Sequence, residues 1–218
     1  MLQCEIPAGL VQLVPGGPEQ AAQLAAHRDV AAVSLTGSVP AGRAVSAICA
    51  AAGKPLQAEL GGNNAMLVLA DARLETQVPI WAMISSAAMA RVAVAVAAAR
   101  ERGGRVLAGG EQQVDVAGHY FPPTLVTDLS ADDPLVQEEL FGPVAVLQLA
   151  DDFEHGMALV NGVSQGLLAA IATTSPALQA AFAAPFGGFK DSQRGPPEHG
   201  VWDREFFSRV QVRYTGAE

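Results

Sequence analysis

Two thiols and a few scattered acid–base side chains are the groups in this chain that could do covalent or proton-transfer chemistry. The thiols are Cys4 and Cys49. A cysteine attacks a carbonyl as its thiolate, which needs a nearby cation, an imidazole or a helix N-terminus. Cys49 lies in AVSAICAAAG, an alanine-rich helical run, where a cysteine is expected to be inert packing. Cys4 has no histidine or basic residue beside it and is expected to be incidental. Glu59, in QAELGG, is the stronger candidate. It ends an apolar run that reads as a buried strand, and desolvation there makes a carboxylate a better base. The competing reading is a glutamate that bonds local backbone. His27, His119, His155 and His199 show no pair at ligand spacing, so no metal site is expected. His155, in DDFEHG, sits on a polar helix face. His199 stands beside Glu198, Trp202, Asp203 and Arg204, a cluster that reads most simply as a docked C-terminal segment.

One phosphate-type site is suggested by position alone. In SLTGS, Gly37 and Ser38 close a strand and open a helix, where free backbone N–H groups could hold an anion. The plainer reading is favoured: Gly37 and Gly42 serve a tight turn and close helix packing.

These residues must be placed by an alternation of short apolar strands and alanine-rich helices. Strands are expected over Val11–Val14, Val30–Leu35, Leu56–Leu60, Met66–Leu69, Arg105–Leu107, Thr124–Thr127, Val144–Leu149 and Ala169–Thr173. Helices are expected over Pro18–His27, Val39–Ala52, Ser85–Arg102 and Phe153–Val160, with Pro18 in a first turn, Gly53 as a stop and Ser85 or Ser86 as a cap. The tail RVQVRY, Arg209–Tyr214, alternates as a last strand, and Pro185–Glu198 reads as an irregular surface segment. Strands separated by helices imply parallel pairing and an α/β fold.

Composition bounds the partners. The chain has 218 residues, half of them hydrophobic and 16% charged, enough for one good core. A net charge of −9 argues against nucleic acid and against an anionic membrane surface. The longest apolar stretch, Val92–Ala99, is too short to cross a bilayer and is flanked by Arg91 and Arg100. The opening MLQCEIPAGLVQLVPGG lacks a basic stretch, and Pro7 interrupts its apolar part, so no secretory leader is expected. Two cysteines make no disulfide framework, and a reducing cytoplasm is the expected location.

Several longer motifs, in order along the chain, carry a resemblance to one family. These are IPAGLVQLVPGG, SLTGS with Gly42, KPLQAELGGNNAMLVLADARLE, HYFPPTLVTDL, QEELFGPVAVLQLADDFEHGMALVN and PFGGFKDSQRGPPEHG. Together they resemble the aldehyde dehydrogenase superfamily. The resemblance implies that Glu59 matches the family's general base. It further implies that Gly37 and Ser38 match its cofactor-binding turn, and that Glu139 and Phe141 match its contacts to the nicotinamide ribose and ring. Three departures stand against it. The sequence starts deep inside the family's cofactor domain. Leu74-Glu75 is followed almost at once by Pro79-Ile80-Trp81, where the family has several dozen residues including its cysteine nucleophile. Thr173 to Pro185 is shorter than the family's tunnel-lining stretch.

The resulting expectation is a shortened aldehyde-dehydrogenase-like fold: a parallel sheet with flanking helices and a C-terminal oligomerisation strand. Residues 1–62 would be a remnant of the dinucleotide domain, 63–205 a reduced catalytic domain and 206–218 an oligomerisation tail. Aldehyde oxidation needs a thiolate and a bound nicotinamide, so ordinary redox activity and a cofactor are not expected. Without a cofactor, Gly37, Ser38, Glu139 and Phe141 would be packing elements. The expected role is non-redox conversion of a carbonyl-containing small molecule, of cyclase, isomerase or hydrolase type, in a homodimer. The alternatives are a non-catalytic partner-binding protein and a residual NAD(P)-dependent aldehyde dehydrogenase.

Overall fold

The computed structural model describes residues 7–72, 83–112, 118–182, 188–197 and 205–208. The chain divides into two compact units, residues 1–58 with 194–218, and residues 59–193.

In the first unit, α1 (Pro18–Ala26), β1 (Val33–Gly37) and α2 (Val39–Ala51) lead into β2 (Leu56–Leu60), which carries the chain on into the second unit. Proline at the first turn of α1 costs nothing, because its missing N–H would be unpaired there. Ser38 caps α2 by accepting from the Ala41 N–H at 3.3 Å. Gly53 ends α2 at φ +62°, a left-handed conformation that glycine adopts without penalty. Lys54 then donates to the carbonyls of Ala25 and His27 at 2.7 and 2.6 Å, tying the far end of α2 to that of α1.

The second unit contains β3 (Ala65–Val68), α3 (Ser86–Glu101), β4 (Arg105–Ala108), β5 (Thr124–Thr127), α4 (Pro134–Gln137) and β6 (Val144–Leu147). It continues through α5 (Phe153–Val160), β7 (Gln165–Gly166), β8 (Ala169–Ala172), α6 (Pro176–Phe182), β9 (Phe189–Lys190) and the start of β10 (Gln193–Arg194). Its core is built on one stripe of α3. Ala88, Met89, Val92, Val96 and Ala99 recur every three or four residues and meet Met83, Phe121, Val126 and Leu135. Arg102, just past α3, grips the buried Asp133 carboxylate through two bonds of 2.7 and 2.8 Å. Asp133 in turn caps α4, accepting from Leu135 N–H. Asp71 fastens the end of β3 to that of β8 by accepting from the hydroxyls of Thr173 and Thr174 and from Thr174 N–H.

The α/β class stands, and most expected elements fall within a residue or two of their places. The expected parallel pairing holds for part of the strands. Four small sheets occur among the described residues: β1-β2-β10, β3-β8, β4-β5-β6 and β7-β9. Pairing is parallel in β3-β8 and β5-β6 but antiparallel in β4-β5 and β7-β9. No helix lies between β4 and β5 among the described residues, and only a helical crossover obliges neighbours to run parallel.

Two further expectations are corrected. Val11–Val14 is not a strand: no sheet receives it, and Val11 and Leu13 are 75% and 92% exposed. An apolar run forms a strand only where another strand pairs with it. The segment after Pro185 is not wholly irregular, since it supplies β9 and β10 and the fully buried Ser192. The expected strand Arg209–Tyr214 lies outside the described residues. No described helix is long and apolar enough to cross a membrane.

Candidate functional site: a carboxylate seated on a diglycine

Cys49 points into the interior of α2's buried side, 1% exposed. Burial pushes its thiol above the usual value, and Lys54 offsets this only partly. A thiol so placed stays protonated and out of reach of a substrate, as its alanine-rich surroundings imply. Cys4, His199 and the residues flanking His199 lie outside the described residues.

Gly37 and Ser38 occupy the junction of β1 and α2 in the first unit. The Ser38 side chain is committed to capping α2. Of the first-turn residues that follow, Pro40 has no N–H and the Ala41 N–H is already accepted by Ser38. This leaves fewer free backbone donors in the first turn for an anion.

The other predicted residues belong to the second unit. Glu59 is half-buried in β2, one residue before its end. Beyond Leu60 the chain runs through Gly61 and Gly62, and on these two residues Glu139 is seated. The Gly62 N–H donates to the Glu139 carboxylate. A Cβ at Gly61 would collide with Glu139 Oε2 and would stand 3.3 Å from Cζ of the Phe141 ring. Only glycine allows this approach. Phe141 is 56% exposed and has φ +51°, a conformation bulky residues rarely adopt. Burial raises the Glu139 carboxyl above the ordinary glutamate value, and the Gly62 N–H opposes that rise. The structure therefore brings Glu139 and Phe141 together on Gly61, the residue next but one after Glu59.

Ser192, which sequence reasoning passed over, lies beneath the diglycine. It is fully buried, and its hydroxyl donates to the Gly61 carbonyl at 2.7 Å. A lone serine in a glycine- and proline-rich stretch carries no local signal of this. Asn63 is likewise tied down, donating from its side chain to the Val136 carbonyl.

His155 lies elsewhere in the second unit, held by Asp151 at 3.2 Å. It lines a cavity of about 360 Å³ with Thr127, Asp128, Leu129 and Leu147. Among the described residues no cluster of histidine, cysteine and acidic side chains could hold a metal ion.

The sequence matches the aldehyde dehydrogenase family over residues 1–81 and 73–184. It is 31% identical over 221 residues to succinate semialdehyde dehydrogenase [NAD(P)+] Sad of Escherichia coli (strain K12), covering 78% of this chain and 48% of that protein. It is 28% identical to betaine aldehyde dehydrogenase of Cereibacter sphaeroides (strain ATCC 17029 / ATH 2.4.9), covering 99% of this chain and 59% of that one. The chain thus spans about half the length of the curated relatives it matches. The second alignment runs over 287 residues although this chain has 218, so the relative carries internal residues with no counterpart here. The two family matches overlap at 73–81, where the sequence places its largest internal gap. Among solved structures, Mycobacterium tuberculosis aldehyde dehydrogenase complexed with NAD+ superposes with a TM-score of 0.83 at 24% identity, covering 93% of this chain and 58% of that one. The NAD-dependent aldehyde dehydrogenase of Sinorhizobium meliloti superposes with a TM-score of 0.81 at 26% identity, covering 90% and 53%.

Proposed function

This chain belongs to the aldehyde dehydrogenase family, and on that premise we propose that it does not oxidise aldehydes but performs acid–base chemistry on a carbonyl-containing small molecule. One observation carries the reading. The only cysteine among the described residues is buried in α2, whereas the Glu139 carboxyl is seated on Gly61–Gly62. One relative is named for NAD(P)+, and the thin donor set at the start of α2 gives no support to such a cofactor here.

The chemistry left to the site is proton transfer. Glu139, held toward its neutral form by burial, is the proton donor to a carbonyl oxygen. Glu59 is the base that takes a proton from the carbon beside the carbonyl. Glu59 stands two residues before Gly61, against which Glu139 is seated. Proton removal at carbon and delivery to oxygen gives an enol. Where that carbon carries a hydroxyl the intermediate is an enediol, and a proton returned to the former carbonyl carbon while the second hydroxyl gives up its own moves the carbonyl along the chain with no net change in oxidation state.

The test uses the purified protein with short-chain aldehydes and ketones in D2O, following deuterium incorporation beside the carbonyl by NMR and, in parallel, reduction of NAD or NADP by absorbance. Exchange is expected, with at least a tenfold loss in Glu59→Gln and in Glu139→Gln, and no cofactor reduction. Cofactor reduction abolished by Cys49→Ala would overturn the reading. Unchanged exchange in a folded Glu59→Gln variant would remove that residue from its role.

A second reading, a non-catalytic partner-binding protein, is favoured by one separate observation: the open apolar face of the β3-β8 sheet, where Met66 and Val68 are 61% and 47% exposed.

A further inference from the structure

The peptide group that receives Glu139 is held from its other side. The Gly61 carbonyl and the Gly62 N–H are the two ends of one peptide unit. The N–H end donates to Glu139, and the carbonyl end accepts the Ser192 hydroxyl at 2.7 Å. The Ser192 oxygen itself accepts from Gly166 N–H at 2.9 Å. With that lone pair engaged, the single hydroxyl proton is directed to Gly61. The Ser192 backbone is pinned as well: its carbonyl accepts from Leu60 N–H at 2.7 Å and its N–H donates to the Phe189 carbonyl at 3.0 Å. Gly166 and Phe189 are paired across β7-β9, so both of these partners belong to one ribbon. A run of hydrogen bonds therefore passes from Gly166 N–H through the Ser192 hydroxyl and the 61–62 peptide to the Glu139 carboxylate.

Such a run does two things. It fixes the plane of a diglycine peptide that has no side chains to hold it and that would otherwise be among the most freely rotating in the chain. It also polarises the peptide, since a donor at the carbonyl strengthens donation by the N–H, by roughly 10–30% per bond. Both effects converge on the same acceptor. Ser192 has no path to a substrate, being fully buried.

We propose that Ser192 is a positioning residue for Glu139, orienting and polarising the Gly61–Gly62 peptide whose N–H receives the carboxylate. The proposal rests on reading Glu139 as a site carboxylate, and it assigns a task to the C-terminal KDSQRG stretch that packing does not require. A hydroxyl that merely filled space would be replaceable by a methyl group.

The experiment reads the two ends of the peptide in the full chain without substrate. In 15N- and 13C-labelled protein, the Gly62 amide proton shift and the Glu139 carboxyl titration are followed by NMR. In Ser192→Ala, the Gly62 amide proton is expected to move upfield, in the direction produced by Glu139→Gln. The Glu139 titration midpoint is expected to move further up. Ser192→Thr, which keeps the hydroxyl, restores both. If Ser192→Ala does not fold, Ser192→Cys, close in shape but a weak donor, is expected to show both changes at smaller amplitude. A folded Ser192→Ala or Ser192→Cys variant with the Gly62 amide and the Glu139 midpoint both unmoved would overturn the proposal. Because neither readout needs turnover, that failure is distinct from failure of the acid–base reading, which shows as absent deuterium exchange with the two NMR signatures intact.

Discussion

At the residue scale, the proposed acid–base chemistry rests on the contrast between Cys49 and Glu139. Both are displaced upward by burial, but with opposite consequences. An upward shift leaves a thiol with less of its nucleophilic thiolate, whereas in a carboxyl it brings proton donation closer to neutral pH. The same displacement makes Glu139 a stability marker. Its folded form holds a proton more tightly than its unfolded form, so its contribution to stability is fully present below about pH 4.5, the ordinary value, and is lost as pH rises through the raised value. Glu139→Gln cannot ionise and is expected to remove that loss. Urea midpoints measured from acid to neutral pH should then fall less steeply in the variant than in the parent. Parallel curves would show that Glu139 titrates alike in both states. Sequence reasoning reached Glu139 and Phe141 only through a resemblance, and Glu59 through the same resemblance together with its place at the end of an apolar run. It could not reach Ser192, because the partner of that hydroxyl lies far away along the chain, and spacing carries no information about such a contact.

At the element scale, what could be read were the local rules: caps, stops and periodicity. Ser85 illustrates how far they hold. Its side chain accepts from Ala88 N–H at 3.1 Å, closing one of the unpaired donors at the start of α3. α3 supplies the apolar stripe on which the second unit's core is assembled, so a weakened start is felt throughout that unit. Ser85→Ala is expected to lower stability by about 1 kcal/mol, read as a fall in the urea midpoint without a change in slope. A change in slope instead would mean that the denatured or native ensemble had been altered. What could not be read was pairing. AMLV and AAIA are four-residue runs with no signal for which strand they join, yet Ala65–Val68 lies beside Ala169–Ala172 in parallel register. The antiparallel pair β4-β5 is missed for the same reason, since strand direction is set by the connection and the surroundings rather than by strand composition. Val11–Val14 shows the reverse error, strand composition without a pairing partner.

At the scale of the whole molecule, the question is what covers the apolar surface that the described residues leave open. The β3-β8 sheet is covered on one side: α5 packs there, its Gly156 lying against Leu67. The opposite side carries Met66 and Val68, both well exposed, in register with Ala170 and Ala172. Strands with apolar residues on both faces are characteristic of parallel sheets buried on both sides, and here one side has no cover among the described residues. A second copy of this chain would bring a matching apolar face to it. Self-association at micromolar concentration is therefore expected, with the oligomer rather than the monomer as the major species in light scattering. Replacing both exposed side chains by lysine, Met66→Lys with Val68→Lys, places like charges on the two copies at the contact, and at least a tenfold weaker association is expected. Because these side chains face away from α5, the fold should survive the change, and an unaltered circular dichroism spectrum would verify that. A parent protein that stays monomeric at micromolar concentration, or a doubly substituted variant that associates as tightly as the parent, would show that this face is not what brings the copies together.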